Sequence, residues 1–433
     1  MMMEAARGLR GPRLRLAEAY VSGVGAMAVA AVLTLLLKWI GGMDVFNLAH
    51  PASGMLFAVL SLALVLCGRR IDRRSFVVVL PLFLYCCWCV VTVLWSIWPG
   101  RTLPYAFAAM CFFGALICLP VVLAGSGRMR LGRDEMRLIL LCLIALLLCM
   151  IVLGAVYDNV VSYLLRDRFY SRLRGLGMTA NTFGSYCFAL IICAHILHCI
   201  NKGMFSKCLI AVGCILIVLT MSRGLILGLG VYFLLYFFFS RQQGNIVFLL
   251  AIVLPVIILF ISARDAGNYV PPQMKPYLGS PRLFIWGNAL SHNVKNGFLW
   301  QGTGYESGHE LTRRTDVGDY FTGVRISKGD WEPDTDRRAG VSLHGALAKI
   351  FFTTGIVGFA LFAWAMAVLA LTLARSSGPL APCGLPCLVS LLTADVTSSY
   401  FWAGIGPLPS IALFATLGML LVDAVSNPRR TSA

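Results

Sequence analysis

Residues 138–156 read LILLCLIALLLCMIVLGAV, a run without a single charged side chain. A bilayer core about 30 Å thick is crossed by a helix of roughly 20 mostly apolar residues, so this run is long enough to span a membrane. The whole chain shares its character, since 59% of its 433 residues are hydrophobic and 13% are charged. In soluble domains, roughly 45–50% of the residues are apolar and about 25% are charged. The composition therefore excludes a soluble multidomain enzyme.

Apolar runs of this kind, bounded by charges, glycine or proline, recur along the chain and predict an all-α integral membrane protein with about twelve transmembrane helices. The chain then divides into helices 1–9 over residues 1–262, one large loop over 263–342, and helices 10–12 over 343–433. The seventh and eighth runs form either two crossings or one re-entrant pair. The predicted spans are 17–40, 51–67, 75–95, 103–123, 136–157, 178–200, 206–221, 224–240, 245–262, 350–374, 379–399 and 404–424.

The basic residues predict the orientation of these helices. The formal net charge is +17, and most arginines lie in connections that are cytoplasmic when the N-terminus is cytoplasmic, as the positive-inside rule requires. In a bacterial inner membrane, both termini are then cytoplasmic and the large loop is periplasmic. No nucleic-acid partner is predicted, because no polar domain with a basic stripe exists.

The 15 cysteines lie in or beside apolar runs and are predicted to be small buried hydrophobic residues. No Cys-x-x-Cys is followed by a His-x-x-His at the spacing of a zinc site, so no structural zinc is expected. Asp334-Thr335-Asp336 resembles a metal-binding pair but falls in a charged loop outside the cytoplasm. The sequence therefore predicts no metal site.

Several arginines violate the positive-inside rule. Arg172 and Arg174 lie in a short outer connection, Arg223 interrupts two apolar runs, and Arg282 opens an amphipathic segment four residues before Trp286. A guanidinium binds phosphate oxygens through two parallel hydrogen bonds, so these arginines are candidate ligands of a lipid diphosphate at the outer leaflet. The alternative is that they extend to the interface and contact lipid headgroups.

His344 is the candidate general base. Ser342 is predicted to cap a helix that runs through residues 343–350, which puts the imidazole in the first turn. A helix N-terminus disfavours the imidazolium and attracts an anion, and a neutral histidine beside a diphosphate can accept the proton of a hydroxyl group. An ordinary interfacial histidine is the alternative. The His292-Asn293 pair is a second candidate for the base.

Five short motifs follow one another along the chain. Together, their order, spacing and placement on one membrane face resemble the O-antigen ligase and O-antigen polymerase superfamily of bacterial inner-membrane glycosyltransferases. Two positions depart from the family pattern, since Met178-Thr179-Ala180-Asn181 stands where Asn-Pro-Asn is common and Gly345 stands where Asn commonly follows the histidine. The motifs are Arg172-Leu173-Arg174-Gly175 with Asn181, Ser222-Arg223-Gly224, Arg282 with Trp286, Gly302-Thr303-Gly304, and Ser342-Leu343-His344 with Gly355-Ile356-Val357-Gly358.

The resemblance implies an inverting, metal-independent transfer of a glycan from undecaprenyl diphosphate to an acceptor sugar hydroxyl on the periplasmic face. His344 would accept the acceptor's proton, and no cofactor is required because the lipid diphosphate is the activated donor. Asn181 and Tyr305, the latter on a glycine turn, are candidate substrate contacts. The residues implied to hold the diphosphate are Arg172, Arg174, Arg223 and Arg282.

Chain length and the single large loop after the ninth helix favour a ligase, which joins the polysaccharide to the lipid A-core. A polymerase uses the same chemistry on a different acceptor and stays open as an alternative. A polysaccharide or anion transporter, in which the arginines only guide a substrate, is the alternative from another class. The sequence shows no inverted repeat, which many transporters have.

Overall fold

A computed structural model of the chain describes residues 72–158, 180–240, 281–313, 343–397 and 408–428, except positions 128, 221 and 344, together with parts of a helical stretch within 20–29. In these ranges the chain is helical and contains no strand. The predicted all-α class is therefore confirmed.

The described helices follow the predicted apolar runs closely. A π-helical turn, Gly114–Cys118, joins the second and third helices into one continuous span. The helices are α1 (Arg73–Val91), α2 (Pro99–Phe113), α3 (Leu119–Gly125), α4 (Arg133–Asp158), α5 (Ala180–Asn201), α6 (Met204–Leu219), α7 (Arg223–Ser240), α8 (Pro281–Lys295), α9 (Gly308–Arg313), α10 (Ala346–Ala374), α11 (Ala381–Thr397) and α12 (Leu408–Ser426).

Within the described residues, 7 helical stretches are long and apolar enough to cross a membrane, while α6 and the apolar part of α11 are shorter. The predicted spans 51–67 and 245–262 lie outside these residues, and span 17–40 is described only in part. The total of about twelve helices and the placement of the large loop thus stay predictions. Helix α7 packs mainly on α11 and makes few contacts with α6, and the choice between two crossings and a re-entrant pair also stays a prediction.

The centre of the bundle is formed by α5 and α12. In α12, 94% of the apolar window is buried within the protein, compared with 33% in α10. Helices α4 and α6 flank α5, and α3 packs against α12. An apolar helix that is buried on all sides lies inside a bundle, whereas one with an exposed apolar face borders the lipid. We therefore place α10 at the periphery.

The start of α10 differs from the prediction. The helix begins at Ala346 and its N-cap is Gly345, with φ 94° and ψ 113°. The prediction that Ser342 caps a helix running through Leu343 is therefore wrong, because a non-helical glycine conformation separates that segment from α10. Glycine adopts a positive φ without steric cost, which accounts for glycine at this position.

Two glycine motifs, far apart in the sequence, meet at a break inside α10. Gly355 has φ 71° and ψ −175° within this helix, and Gly302 has φ 75°. A Cβ atom on Gly302 would overlap the carbonyl group of Thr353, and one on Gly355 would overlap that of Trp300. Only glycine allows the two backbones to approach this closely.

The loop after α8 satisfies the backbone groups that the break exposes. The amide of Gly304 donates a hydrogen bond to the carbonyl of Thr353 at 2.9 Å, and the amide of Ile356 donates to the carbonyl of Leu299 at 3.1 Å. In a membrane protein, non-helical backbone is tolerated only where protein or enclosed water satisfies its polar groups. The loop and the break therefore stabilise each other.

Two tryptophans anchor this joint to α1 and to the turn that follows it. The indole N–H of Trp88 donates to the carbonyl of Thr354 at 2.9 Å, and that of Trp95 donates to the carbonyl of Gln301 at 3.2 Å. Both acceptors belong to the joint between the loop and α10. The loop is thus held in position by α1, by the turn after α1 and by the break in α10.

Replacing Gly355 by alanine should lower the thermal unfolding midpoint of the detergent-solubilised protein. Holding a side chain at this φ and ψ costs about 1–3 kcal/mol, and the Cβ atom also overlaps the loop backbone. The matched control is Gly230→Ala in α7, where an added Cβ meets nothing within 4 Å. That variant should keep or raise the midpoint, because alanine favours a helix by about 1 kcal/mol over glycine. An unchanged midpoint in Gly355→Ala would contradict the proposed joint.

Candidate functional site

The structure describes the predicted site residues to different extents. The side chains of Asn181, Arg223 and Tyr305 are described. Of Arg282 only the backbone is described, in the first turn of α8. Arg172, Arg174 and His344 lie outside the described residues, so their roles stay predictions.

Helices α5 and α7 begin next to each other. The hydroxyl of Ser222, directly before α7, donates a hydrogen bond to Oδ1 of Asn181 in the first turn of α5 at 2.8 Å. Arg223 is the first residue of α7, and its side chain is exposed. Each helix N-terminus has free N–H groups and a partial positive charge. Two such ends beside a guanidinium make a favourable setting for an anion.

A buried carboxylate lies toward the same end of the bundle. Helices α7 and α11 run antiparallel, because the C-terminal half of α7 lies near the first turn of α11. Gly228 of α7 packs directly against Ala394 of α11. The next residue, Asp395, is 1% exposed and is therefore near the Arg223 end of α7. Asp395 is therefore a candidate carboxylate partner for a cation at that end of α7.

Helix α8 is fixed to the segment that contains His344. The indole N–H of Trp286 donates a hydrogen bond to the carbonyl of Leu343 at 2.7 Å, and Leu343 directly precedes His344 in the chain. Arg282 lies one turn before Trp286, so both residues belong to the same helix face. The Arg-x-x-x-Trp motif and the histidine motif, which are far apart in sequence, are therefore neighbours in the structure.

A small apolar core supports this junction. It is separate from the main core of the bundle and joins α8, α9 and the start of α10. On its edge, the side-chain amide of Asn293 donates to the carbonyl of Phe352 at 2.9 Å, while the ring of His292 stacks on Phe298. Asn293 thus has a structural role in holding α8 against α10. The core residues are Ile285, Ala289, Leu311, Leu343 and Phe352.

Tyr305 lies in the main core rather than on an open turn. Its side chain is 2% exposed, its amide donates to the hydroxyl of Thr92 at 3.0 Å, and its own hydroxyl has no partner among the described residues. Burial raises the pKa of this hydroxyl well above its usual value, and the Glu306 carboxylate acts in the same direction. Tyr305 is therefore a protonated phenol at neutral pH, and a substrate would contact it only from within the bundle.

Sequence reasoning missed a buried ion pair beside Tyr305. Glu306 is 4% exposed, has a positive φ of 61°, and pairs with Nζ of Lys349 at 2.5 Å. Lys349 lies in the first turn of α10, so the pair ties the loop to the beginning of that helix. A buried charge without its partner would be strongly destabilising. One feature of the sequence could have indicated this pair. Glu306 directly follows the Gly302-Thr303-Gly304-Tyr305 turn, and acidic residues are rare in this chain, with only 19 in total.

The structure also groups three metal-ligating side chains away from these motifs. The ligand atoms of His195, Cys199 and Cys383 all lie within 4.8 Å of one another. The sequence analysis did not find this group, because Cys199 and Cys383 are 184 residues apart. The group lies at the opposite end of α5 from Asn181.

The comparison with protein families agrees with the motifs. Residues 208–363 match the family model described as O-antigen ligase. No curated protein matches the chain. The matched segment contains helix α7 with Arg223, helix α8 with Arg282, and His344. The resemblance of this chain to the O-antigen ligase and O-antigen polymerase superfamily is therefore confirmed, and residues 208–363 are the segment that carries it.

Proposed function

We propose that this protein is an O-antigen ligase of the bacterial inner membrane. It transfers a polysaccharide from undecaprenyl diphosphate to a sugar hydroxyl of the lipid A-core on the periplasmic face, without a metal or other cofactor. The observation that carries the proposal is the family match over residues 208–363. That segment includes Arg223, Arg282 and His344, which have the main chemical roles in this mechanism.

The donor diphosphate binds where α5 and α7 begin. The Ser222–Asn181 hydrogen bond holds the two helix N-termini together, and Arg223 adds a guanidinium at the same place. Arg172 and Arg174 come shortly before α5 in the sequence and supply further cations. Negative charge develops on the diphosphate as the glycosidic bond breaks, and positive groups held in advance at this position lower the barrier.

His344 receives the acceptor's proton. The acceptor oxygen attacks the anomeric carbon while the bond from this carbon to the diphosphate oxygen breaks, so the configuration inverts and undecaprenyl diphosphate leaves. The Trp286–Leu343 hydrogen bond holds the backbone next to His344. It also fixes α8, the helix that begins with Arg282 in its first turn, against this backbone segment. Positioning of this kind contributes to catalysis because small displacements of a reacting group are costly.

The first test is a transfer assay with His344→Ala. Purified protein is supplied with lipid-linked glycan and lipid A-core, and the rate should fall about 10²–10⁴-fold, as expected when a general base is removed. His198→Ala, at the other end of α5, is the control and should retain the normal rate. If His344→Ala keeps its activity and His292→Ala loses it, the base is assigned to the wrong histidine.

The second test asks whether Arg223 binds phosphate through its planar fork. Arg223→Lys preserves the charge but loses the bidentate geometry, and we expect a fall of at least about tenfold in the transfer rate. The control is Arg375→Lys, an exposed arginine at the end of α10, which should behave like the unaltered protein. Full activity in Arg223→Lys would show that a generic positive charge is sufficient there.

The third test separates positioning from stability. Trp286→Phe removes the hydrogen bond to Leu343 and keeps an aromatic ring, so the unfolding midpoint should change little, since one hydrogen bond contributes about 0.5–1.5 kcal/mol. The transfer rate should fall by about tenfold or more, because misplacing a catalytic group is costly. Trp364→Phe, at an exposed position of α10, is the control. A parallel loss of stability and rate would indicate a structural role only.

The family match also fits a polymerase, which differs in its acceptor. Running the transfer assay with a second lipid-linked glycan in place of lipid A-core distinguishes the two. Product only with lipid A-core supports the ligase, and product only with the second lipid-linked glycan supports the polymerase. A transporter predicts no product with either acceptor.

A further inference from the structure

A group of soft metal-ligating side chains lies near the C-terminal end of α5. His195 and Cys199 are four residues apart in α5 and therefore share one helix face. Cys383 joins them from the first turn of α11. The three ligand atoms lie within 4.8 Å of one another, and no other group of three potential metal ligands was found in the described part of the chain.

The distance between the two sulfur atoms suits one shared ion. Sγ of Cys199 and Sγ of Cys383 are 3.7 Å apart. Two zinc–sulfur bonds of about 2.3 Å at a tetrahedral angle separate the sulfurs by about 3.8 Å. The two thiols are thus already spaced as they would be when bound to a metal, although a thiol–thiol hydrogen bond has a similar length.

The imidazole is oriented by a tyrosine of α7. Nδ1 of His195 forms a hydrogen bond with the hydroxyl of Tyr232 at 2.9 Å. Histidines that bind metals commonly use their other ring nitrogen in this way, which fixes the orientation of the ring. Tyr236, one turn further along α7, places its hydroxyl 3.5 Å from Sγ of Cys199.

The chemistry of the donors selects the class of ion. Two sulfurs and an imidazole suit zinc or monovalent copper, whereas calcium and magnesium prefer oxygen ligands. With two thiolates and a neutral imidazole, a zinc ion gives a complex of zero net charge, which reduces the cost of burial at membrane depth. We propose that His195, Cys199 and Cys383 form a binding site for a soft d10 metal ion, Zn²⁺ or Cu⁺.

The site has a route of access. A cavity of about 450 Å³ is lined by Cys199, Lys202, Arg133 and Leu380, so an ion reaches the cysteine without unfolding of the bundle. Fourteen residues of helix separate His195 from Asn181, a distance of about 21 Å along α5. The metal site is therefore independent of the proposed glycan transfer. An ion bound there links α5 to α11 within the bundle.

The test measures metal binding by the intact, detergent-solubilised protein. After treatment with a reductant and a chelator, the protein is titrated separately with Zn²⁺ and with Cu⁺, and bound metal and the unfolding midpoint are measured. We expect one ion per chain and a midpoint that rises on binding, because a ligand of the folded state stabilises it. Binding in only one of the two titrations identifies the ion.

Three variants make the test specific. Cys199→Ser and Cys383→Ser should lose both the ion and the rise in midpoint, whereas Cys187→Ser, a buried cysteine two turns or more from the site on α5, should retain both. Tyr232→Phe should weaken binding about 10- to 100-fold, as expected when the hydrogen-bond partner of a ligating histidine is removed. If these side chains only pack, none of these variants should differ from the others in metal binding.

The proposal is overturned if the unaltered protein binds neither ion stoichiometrically, or if Cys199→Ser and Cys187→Ser bind equally. Should the serine variants fail to fold, alkylation of the unaltered protein decides the question. Cys199, which lines the cavity, should react with a maleimide in the metal-free protein and be protected when the ion is bound. Equal modification with and without the ion would also reject the site.

Discussion

In the hydrocarbon core of a membrane, each backbone N–H and C=O group must find its partner within the protein. This constraint makes the chain helical, and it makes the break at Gly355 costly unless another segment satisfies the groups released there. The loop from Leu299 to Gly304 supplies those partners. Because the loop is held in that position, α8 and the buried Glu306–Lys349 pair are held beside the start of α10. The arrangement of α8 and the loop around the start of α10 therefore depends on one break in one helix.

Electrostatics explains why the polar residues of this site stay at the ends of helices. A charge at membrane depth is expensive, so Arg223 is placed at the first residue of α7, where the Ser222–Asn181 hydrogen bond joins two helix N-termini. Inside the protein, the buried carboxylate of Glu306 is paired directly with Lys349.

Features that depend on neighbouring residues could be predicted from the sequence, whereas those that depend on packing between helices could not. Apolar runs predicted α7 and α10 within a few residues, and the amphipathic segment that Arg282 opens lies in α8. The predicted helix through Leu343 was wrong because local patterns favour helix there, while the conformation of Gly345 delays its start to Ala346. The sequence predicted Tyr305 on a glycine turn as a substrate contact, but the structure buries its side chain, and its amide binds Thr92 in the turn after α1.

The sequence by itself determined that this is a helical membrane protein and which short motifs are candidates for its chemistry, because hydropathy and local spacing are properties of neighbouring residues. Only the tertiary structure decided which motifs touch. It joined Asn181 to Ser222, Trp286 to Leu343, and Gly302 to the break at Gly355. It also brought Cys383 to His195 and Cys199. These contacts link residues far apart in the chain, and they arise from how helices pack, which no local pattern contains.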